Sequence, residues 1–288
     1  MNIVVIGQTS YDLTCKLDEE LSEDRKYRFD EDFRCPGGPA FNAACLLGKW
    51  GRQVYLVSRI NDDAFGLEAK RIALKENVNL DHLIKDEKLA TPYSFILVNE
   101  GKRTIFNVAG KPNKVEHDIT LDKVDYILTD AHEDEISFKY FDMFPKAIKI
   151  MDGGSFNERR LKVAEKVDYL IVSSQFAQGY TGMKINEDNY IDIFEKIEDI
   201  NKKYAVITIG EKGLIYRDID NKVKIMDPYK VNSIDSTGAG DIFHGSFTYF
   251  ISNGIDYTTS LKLASKTAAI STEMIGGYTS ILDKKINL

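Results

Sequence analysis

Asp235-Ser236-Thr237-Gly238-Ala239-Gly240-Asp241 sets two glycines between carboxylates, directly before an apolar stretch. Phe243, Phe247 and Phe250 recur at three- and four-residue spacing, which predicts a helix beginning near Ala239. The unpaired N–H groups of a helix start, together with its dipole, attract anions. Glycine at 238 and 240 lets a ligand come close to the backbone, and Asp241 falls in the first turn beside whatever anion binds. An anion cradle with a carboxylate at its edge suits phosphoryl transfer: the turn holds the phosphate and the carboxylate takes a proton from the attacking hydroxyl. A plain helix cap with an acidic first turn is the alternative. Against it, two glycines at a helix start cost stability without packing anything. No Gly-Lys-Ser/Thr follows, so this is not a Walker loop.

Such a turn needs elements to position it. Asn2–Ile6 is a short apolar run that reads as a buried parallel strand ending at Gly7. Gly37-Gly38-Pro39-Ala40-Phe41-Asn42 begins a helix running to Trp50, with Pro39 in its first turn and Asn42 directed to where the double glycine allows close approach; a tight turn with local hydrogen bonds from Asn42 is the alternative. Val54–Ile60 reads as a strand and Ala64–Glu76 as a helix. Tyr93–Val98 and Thr104–Val108 flank Asn99-Glu100-Gly101-Lys102, a hairpin signal, and with residues 13–35 they could build a small second sheet. From residue 123 onward, apolar runs at Val124–Thr129, Ala147–Met151, Tyr169–Val172 and Ala205–Ile209 alternate with helical segments such as Asn157–Glu165 and Glu187–Asn201. That is the pattern of a parallel sheet with crossover helices. Gly7, Asp130, Asp152, Ser173 and Gly210 fall at strand ends, the edge where open α/β sheets bind ligands. Thr208-Ile209-Gly210-Glu211-Lys212-Gly213 reads as a strand–turn–strand corner, and Asp256–Met274 as a helix.

At 288 residues the chain can bury a large core, and 43% hydrophobic with 29% charged residues is the composition of a soluble globular protein. A net charge of -7, with both signs interspersed, argues against a nucleic-acid surface. No apolar run reaches the length of a membrane span, and Met-Asn-Ile-Val-Val-Ile-Gly is no signal peptide. Cys15, Cys35 and Cys45 lack metal spacing and suit a reducing cytoplasm, the expected location. No Gly-x-Gly-x-x-Gly follows the first strand, which argues against a nicotinamide dehydrogenase.

Asp235–Asp241 followed by Ile242-Phe243-His244-Gly245 resembles the C-terminal signature of the ribokinase/PfkB carbohydrate kinases. Gly37-Gly38 with Asn42 is similar to their N-terminal Gly-Gly-x-x-x-Asn, and Thr208-x-Gly210-x-x-Gly213 to their nucleotide segment. The resemblance runs from Gly7 to Gly276. It implies an α/β fold over residues 1–288: a ribokinase-like three-layer sandwich with a central, mostly parallel sheet and a small β-sheet lid from roughly 13–36 and 91–108. It implies Asp241 as catalytic base, with the amides of Gly238, Ala239 and Gly240 as anion hole. Asp12, Gly37, Gly38, Asn42 and Arg103 would contact the acceptor. Thr208, Gly210, Gly213, Thr237 and Ser265 would lie along the nucleotide. ATP is the expected co-substrate, with Mg²⁺ for its charge. Some members also bind a monovalent cation such as K⁺ beside this turn, near Asp235. The partner is a small sugar or sugar-like acceptor, and a homodimer through the lid is the family's expectation.

Departures are equally specific. Ser173-Ser174-Gln175-Phe176 stands where the family carries Asn-x-x-Glu, linked to Mg²⁺ placement, so no metal ligand is assigned. Asn61 replaces a usual Gly, Ser246 a usual Ala or Gly, and Asp152-Gly153-Gly154-Ser155 a usual Asp-x-Asn-x-Arg. Two alternatives stay open: a nucleoside kinase of the same family, and a non-catalytic sugar- or nucleotide-binding sensor. Retention of Asp241 beside its glycine turn argues against the sensor.

Overall fold

The computed structural model describes residues 1–99 and 102–286, with the backbone alone at Lys102 and Arg103. The main sheet has nine strands: β1 (Asn2–Ile6), β4 (Gln53–Val57), β5 (Val78–Asn79), β8 (Tyr126–Thr129), β9 (Ile148–Gly153), β10 (Tyr169–Ser173), β11 (Tyr204–Thr208), β12 (Leu214–Arg217) and β13 (Val223–Met226), in the order β13-β12-β11-β10-β9-β8-β1-β4-β5. From β5 to β11 all neighbours are parallel; β12 and β13 close that end antiparallel. The corner expected at Thr208–Gly213 is the β11–β12 connection.

Successive strand residues face opposite sides of the sheet, and the core divides accordingly. Ile3 and Val5 pack into one apolar layer, Val4 and Ile6 into the other. Both sides being covered explains why these strands read as continuous apolar runs. The first layer is supplied by α1 (Pro39–Lys49), α2 (Ala64–Lys75), α7 (Ala239–Ser252) and α8 (Tyr257–Ser271). The second comes from α3 (Asp134–Met143), α4 (Glu158–Ala164), α5 (Ser174–Thr181) and α6 (Tyr190–Asn201). Phe247 and Phe250 lie wholly within the first layer, each contributing about 1.5–3 kcal/mol of burial. The result is three layers: helices, sheet, helices.

A second sheet of four strands, β3 (Phe33–Gly37), β2 (Ser10–Lys16), β6 (Tyr93–Asn99) and β7 (Lys102–Val108), stands apart from the first. β2 pairs antiparallel with β3 and parallel with β6. The tip of the β6–β7 hairpin, Glu100-Gly101, lies outside the described residues. The three cysteines are buried and unpaired with one another. Among the described residues no helix is long and apolar enough to cross a membrane.

Candidate active site

Helix α7 begins at Ala239, capped by Gly238 at φ 74°, ψ −3°. A side chain here would be strained by the left-handed backbone, and its Cβ would lie 2.6 Å from Gly277 Cα. Asp241 occupies the first turn of α7, as the spacing requires. Its carboxylate Oδ2 accepts from Asn42 Nδ2 at 2.7 Å. Asn42 comes from α1, and the two helices meet because α7 carries glycine at 245. A Cβ there would press on Ala43 at 3.0 Å from its Cα. One turn along α7 from that contact is Asp241; one residue back on α1 is Asn42. Close helix approach and the polar contact are one arrangement.

The turn itself is braced. Asp235, buried, accepts from the Thr237 amide through Oδ1 and from the Gly276 amide through Oδ2, both at 2.8 Å. The amides of Ile234 and Asp235 in turn donate to the Thr272 carbonyl at the end of α8. Of the three amides assigned to an anion, that of Ala239 makes a long contact of 3.3 Å to the Ser236 carbonyl. Gly240 has nothing within 4 Å of where a Cβ would stand, so the face of the turn is open. Two buried oxygens, Asn42 Oδ1 and Thr237 Oγ1, have no hydrogen-bond partner among the described residues. Buried polar atoms are nearly always paired, so these two are ready for a ligand's polar groups.

Asp12 lies on β2, 7% exposed, opposite Cys35 of β3, with Ser10 Oγ 3.4 Å from its Oδ1. A Cβ at Gly37 would stand 2.3 Å from Asp12 Oδ2, so glycine there is what leaves room for the carboxylate. Gly38 then caps α1, three residues before Phe41 and four before Asn42. Asp12, Gly37, Gly38 and Asn42 thus form one continuous run of contacts leading to Asp241. The Arg103 side chain lies outside the described residues.

The strand-end residues share one edge, as the parallel register dictates. They do different things there. Asp130 is buried: its carboxylate accepts from the amides of Gln8 (2.8 Å) and His132 (2.9 Å), and it fills the space where a Gly7 Cβ would be. Burial alone would push its carboxyl up; His132 beside it and these amides outweigh that and hold it below the ordinary range. Arg160 donates through Nη2 to His132 Nε2 at 2.8 Å and through Nη1 to the Ser155 carbonyl, so its guanidinium is spent inside the protein. Asp152 faces His244 of α7, with 3.1 Å between Oδ2 and Nδ1. Burial pushes the Asp152 carboxyl up, and His244 opposes the shift.

Ser173 ends β10 and caps α5, accepting from the amides of Gln175 and Phe176 at 3.1 Å each. Phe176 is fully buried against Phe156. The segment that departs from Asn-x-x-Glu is therefore a helix cap and a core aromatic. Thr208 ends β11 beside Ser173, Gly210 and Gly213 bound a short 3₁₀ turn with φ of 62° and 95°, and Ser265 is half-buried on α8. Asn61 ties its loop to Leu89 and Thr91. The contact of His244 with Asp152 was not visible in the sequence. Its one signal is a histidine four residues after Gly240 on an otherwise apolar face.

The pattern of the pfkB family carbohydrate kinases matches residues 1–285. A ribokinase of Lactococcus lactis subsp. lactis is 25% identical, over 95% of this chain and 91% of its own length. The solved structure of Arabidopsis thaliana ribokinase complexed with ribose and ATP superposes with a TM-score of 0.82, at 20% identity, over 96% of this chain and 94% of that one. A nucleoside kinase of Methanocaldococcus jannaschii, a member of the ribokinase family, superposes at 0.75, with 19% identity and 97% and 94% coverage. The fold is thus the ribokinase-like one expected. The chain belongs to the pfkB family of carbohydrate kinases and is a phosphotransferase.

Proposed function

We propose that this kinase moves the γ-phosphoryl group of ATP to a hydroxyl of a sugar, with Asp241 as general base. The observation that carries the reading is the 2.7 Å contact from Asn42 Nδ2 to Asp241 Oδ2, at the open start of α7. Asn42 fixes the carboxylate while its own Oδ1 is left to accept from the acceptor. The acceptor hydroxyl gives its proton to Asp241, its oxygen bonds to the γ-phosphorus, and the bond to the β-phosphate oxygen breaks to release ADP. The amides at the α7 start, with the helix dipole, face the charge that spreads over the transferring group. Thr237 Oγ1 is positioned to donate to it, and Asp12 accepts from other hydroxyls of the sugar. Thr208, Gly210, Gly213 and Ser265 line the nucleotide's path along the sheet edge.

Magnesium enters with the triphosphate. Among the described residues no cluster of three or more His, Cys, Asp or Glu side chains forms a metal cage, and Ser173 and Phe176 are taken up by helix and core. The phosphates themselves hold the ion. A monovalent cation beside Asp235 is tested by turnover in potassium against tetramethylammonium chloride. The second sheet serves as lid, excluding water from the phosphoryl group. Its edge strand β7 leaves Phe106 and Val108, which share one face, about half exposed, and there we place a homodimer. The enzyme works in the cytoplasm.

The likeness to a nucleoside kinase supports a second reading, in which the hydroxyl belongs to a nucleoside. A coupled assay with MgATP against ribose, deoxyribose, fructose, sugar phosphates and nucleosides decides the acceptor. ATP consumption independent of every acceptor would overturn the proposal.

A further inference from the structure

His244 is buried one turn after Gly240 on α7. Its Nδ1 faces two acceptors: the Gly240 carbonyl oxygen at 2.6 Å and Asp152 Oδ2 at 3.1 Å. Nδ1 therefore carries a proton and donates. Nε2 lies 3.3 Å from the Ile171 carbonyl at the middle of β10, so the ring spans from the start of α7 to the main sheet. The α-helix already supplies the Gly240 carbonyl with a backbone partner from residue 244, so the side chain is a second donor to an oxygen that did not need one. Burying Asp152 and His244 together also gains little stability over apolar side chains of the same volume. The arrangement calls for a purpose other than stability.

That purpose lies in the covalent geometry. The Gly240 carbonyl and the Asp241 N–H are two ends of one planar peptide. A hydrogen bond accepted at the carbonyl fixes that plane and polarises the N–H at its other end. Building on the reading of Gly238–Asp241 as the catalytic turn, we propose that His244, oriented by Asp152, is a positioning residue of phosphoryl transfer. It sets the Gly240–Asp241 peptide so that the amide faces the transferring phosphoryl group and the Asp241 carboxylate faces the acceptor. Asp241 is then held twice, by Asn42 at its carboxylate and by His244 through its peptide.

The test compares wild type with H244L, H244N and D241N, using MgATP and D-ribose. H244L removes the donor; H244N keeps one, since a carboxamide at this position reaches the carbonyl one turn back. H244L is expected to lower kcat about tenfold, less than the ~10²–10³ lost with an oxyanion donor itself, with both KM values within about twofold. H244N recovers most of the loss. Thermal melts of both variants separate this from unfolding. Wild-type kcat in H244L, or H244N as impaired as H244L at equal melting temperature, overturns the proposal. If D241N also retains turnover, the catalytic reading of the turn falls instead. Without any acceptor, long-range ¹H–¹⁵N spectra report the ring directly: His244 protonated at Nδ1, and shifted in D152N, supports the proposal, and an unprotonated Nδ1 overturns it.

Discussion

Asp130 and Asp241 stand near the same edge of the main sheet, yet the protein treats them in opposite ways. Asp130 is enclosed, with two backbone amides, a histidine and a missing Cβ at Gly7 all fitted to its carboxylate. Asp241 is half-buried at the open start of a helix, and Asn42 holds one of its oxygens. A carboxylate surrounded by donors is stabilised as an anion and is a poor proton acceptor; one at the open start of a helix keeps its reach toward a ligand's hydroxyl. Position at the ligand-binding edge therefore does not mark a catalytic residue. What encloses the carboxylate, and what it can reach, distinguishes the two.

The contrast is open to direct attack. Asp241→Asn should lower kcat about a hundred-fold or more, at least ~2.7 kcal/mol of barrier, and leave the unfolding midpoint nearly unchanged. Asp130→Ala should do the reverse in character: about 2–3 kcal/mol of lost stability in denaturant titration, because the amides of Gln8 and His132 are left buried without an acceptor. A mutant pair that loses both properties equally would erase the distinction. Gly245→Ala tests how Asp241 comes to be held. Pressing a methyl on Ala43 should cost about 1–2 kcal/mol of stability and lower kcat several-fold as α7 backs away from Asn42.

A titratable group away from the edge sharpens the comparison from the other side. His117 contacts Tyr140 through Nε2 at 3.2 Å, and burial, with His82 nearby, lowers its pKa to about 4. Asp130 is buried with partners for its charged form; His117 is half-buried, and desolvation with the charges of His82 and Lys139 outweighs the one carboxylate, Asp118, that favours its charged form. Unfolded, His117 takes up a proton below about pH 6.5, whereas the folded protein resists until about pH 4. The contribution is thus intact above pH 6.5 and lost as pH falls toward 4, on the order of 1–2 kcal/mol after allowing for solvent screening. His117→Phe should flatten that part of the stability–pH curve, measured by urea unfolding at pH 7 and pH 5.

Much of this was legible in the chain because it is local. Three phenylalanines at helical spacing place the start of α7 at Ala239, and the glycines mark a turn that a Cβ would obstruct. Apolar runs closed by polar residues give the parallel strands and their common edge. β4 stops at Val57, short of the expected Ile60, because Ser58 and Arg59 leave the sheet for contacts with Ile84 and Glu133. What stayed hidden is pairwise and distant. Nothing near Ser173 says that it caps a helix; that follows from α5 packing Phe176 into the second core layer. Nothing near His244 announces Asp152, which arrives from another strand. Asn42 was singled out for the acceptor, but its grip on Asp241 depends on two helices meeting at Ala43 and Gly245.

That meeting has a bearing on how the enzyme is made. Asn42 and Asp241 are 199 residues apart, and α1 is synthesised long before α7. While the ribosome is still adding the middle strands, α1 has no α7 against which to pack, and its Ala43 face is bare. At the usual 5–20 residues per second this interval is on the order of ten seconds or more, long enough for a sticky helix to find the wrong partner. The same delay has a protective side. On the proposed reading of Asp241 as base, a chain that has not yet made α7 cannot transfer phosphate.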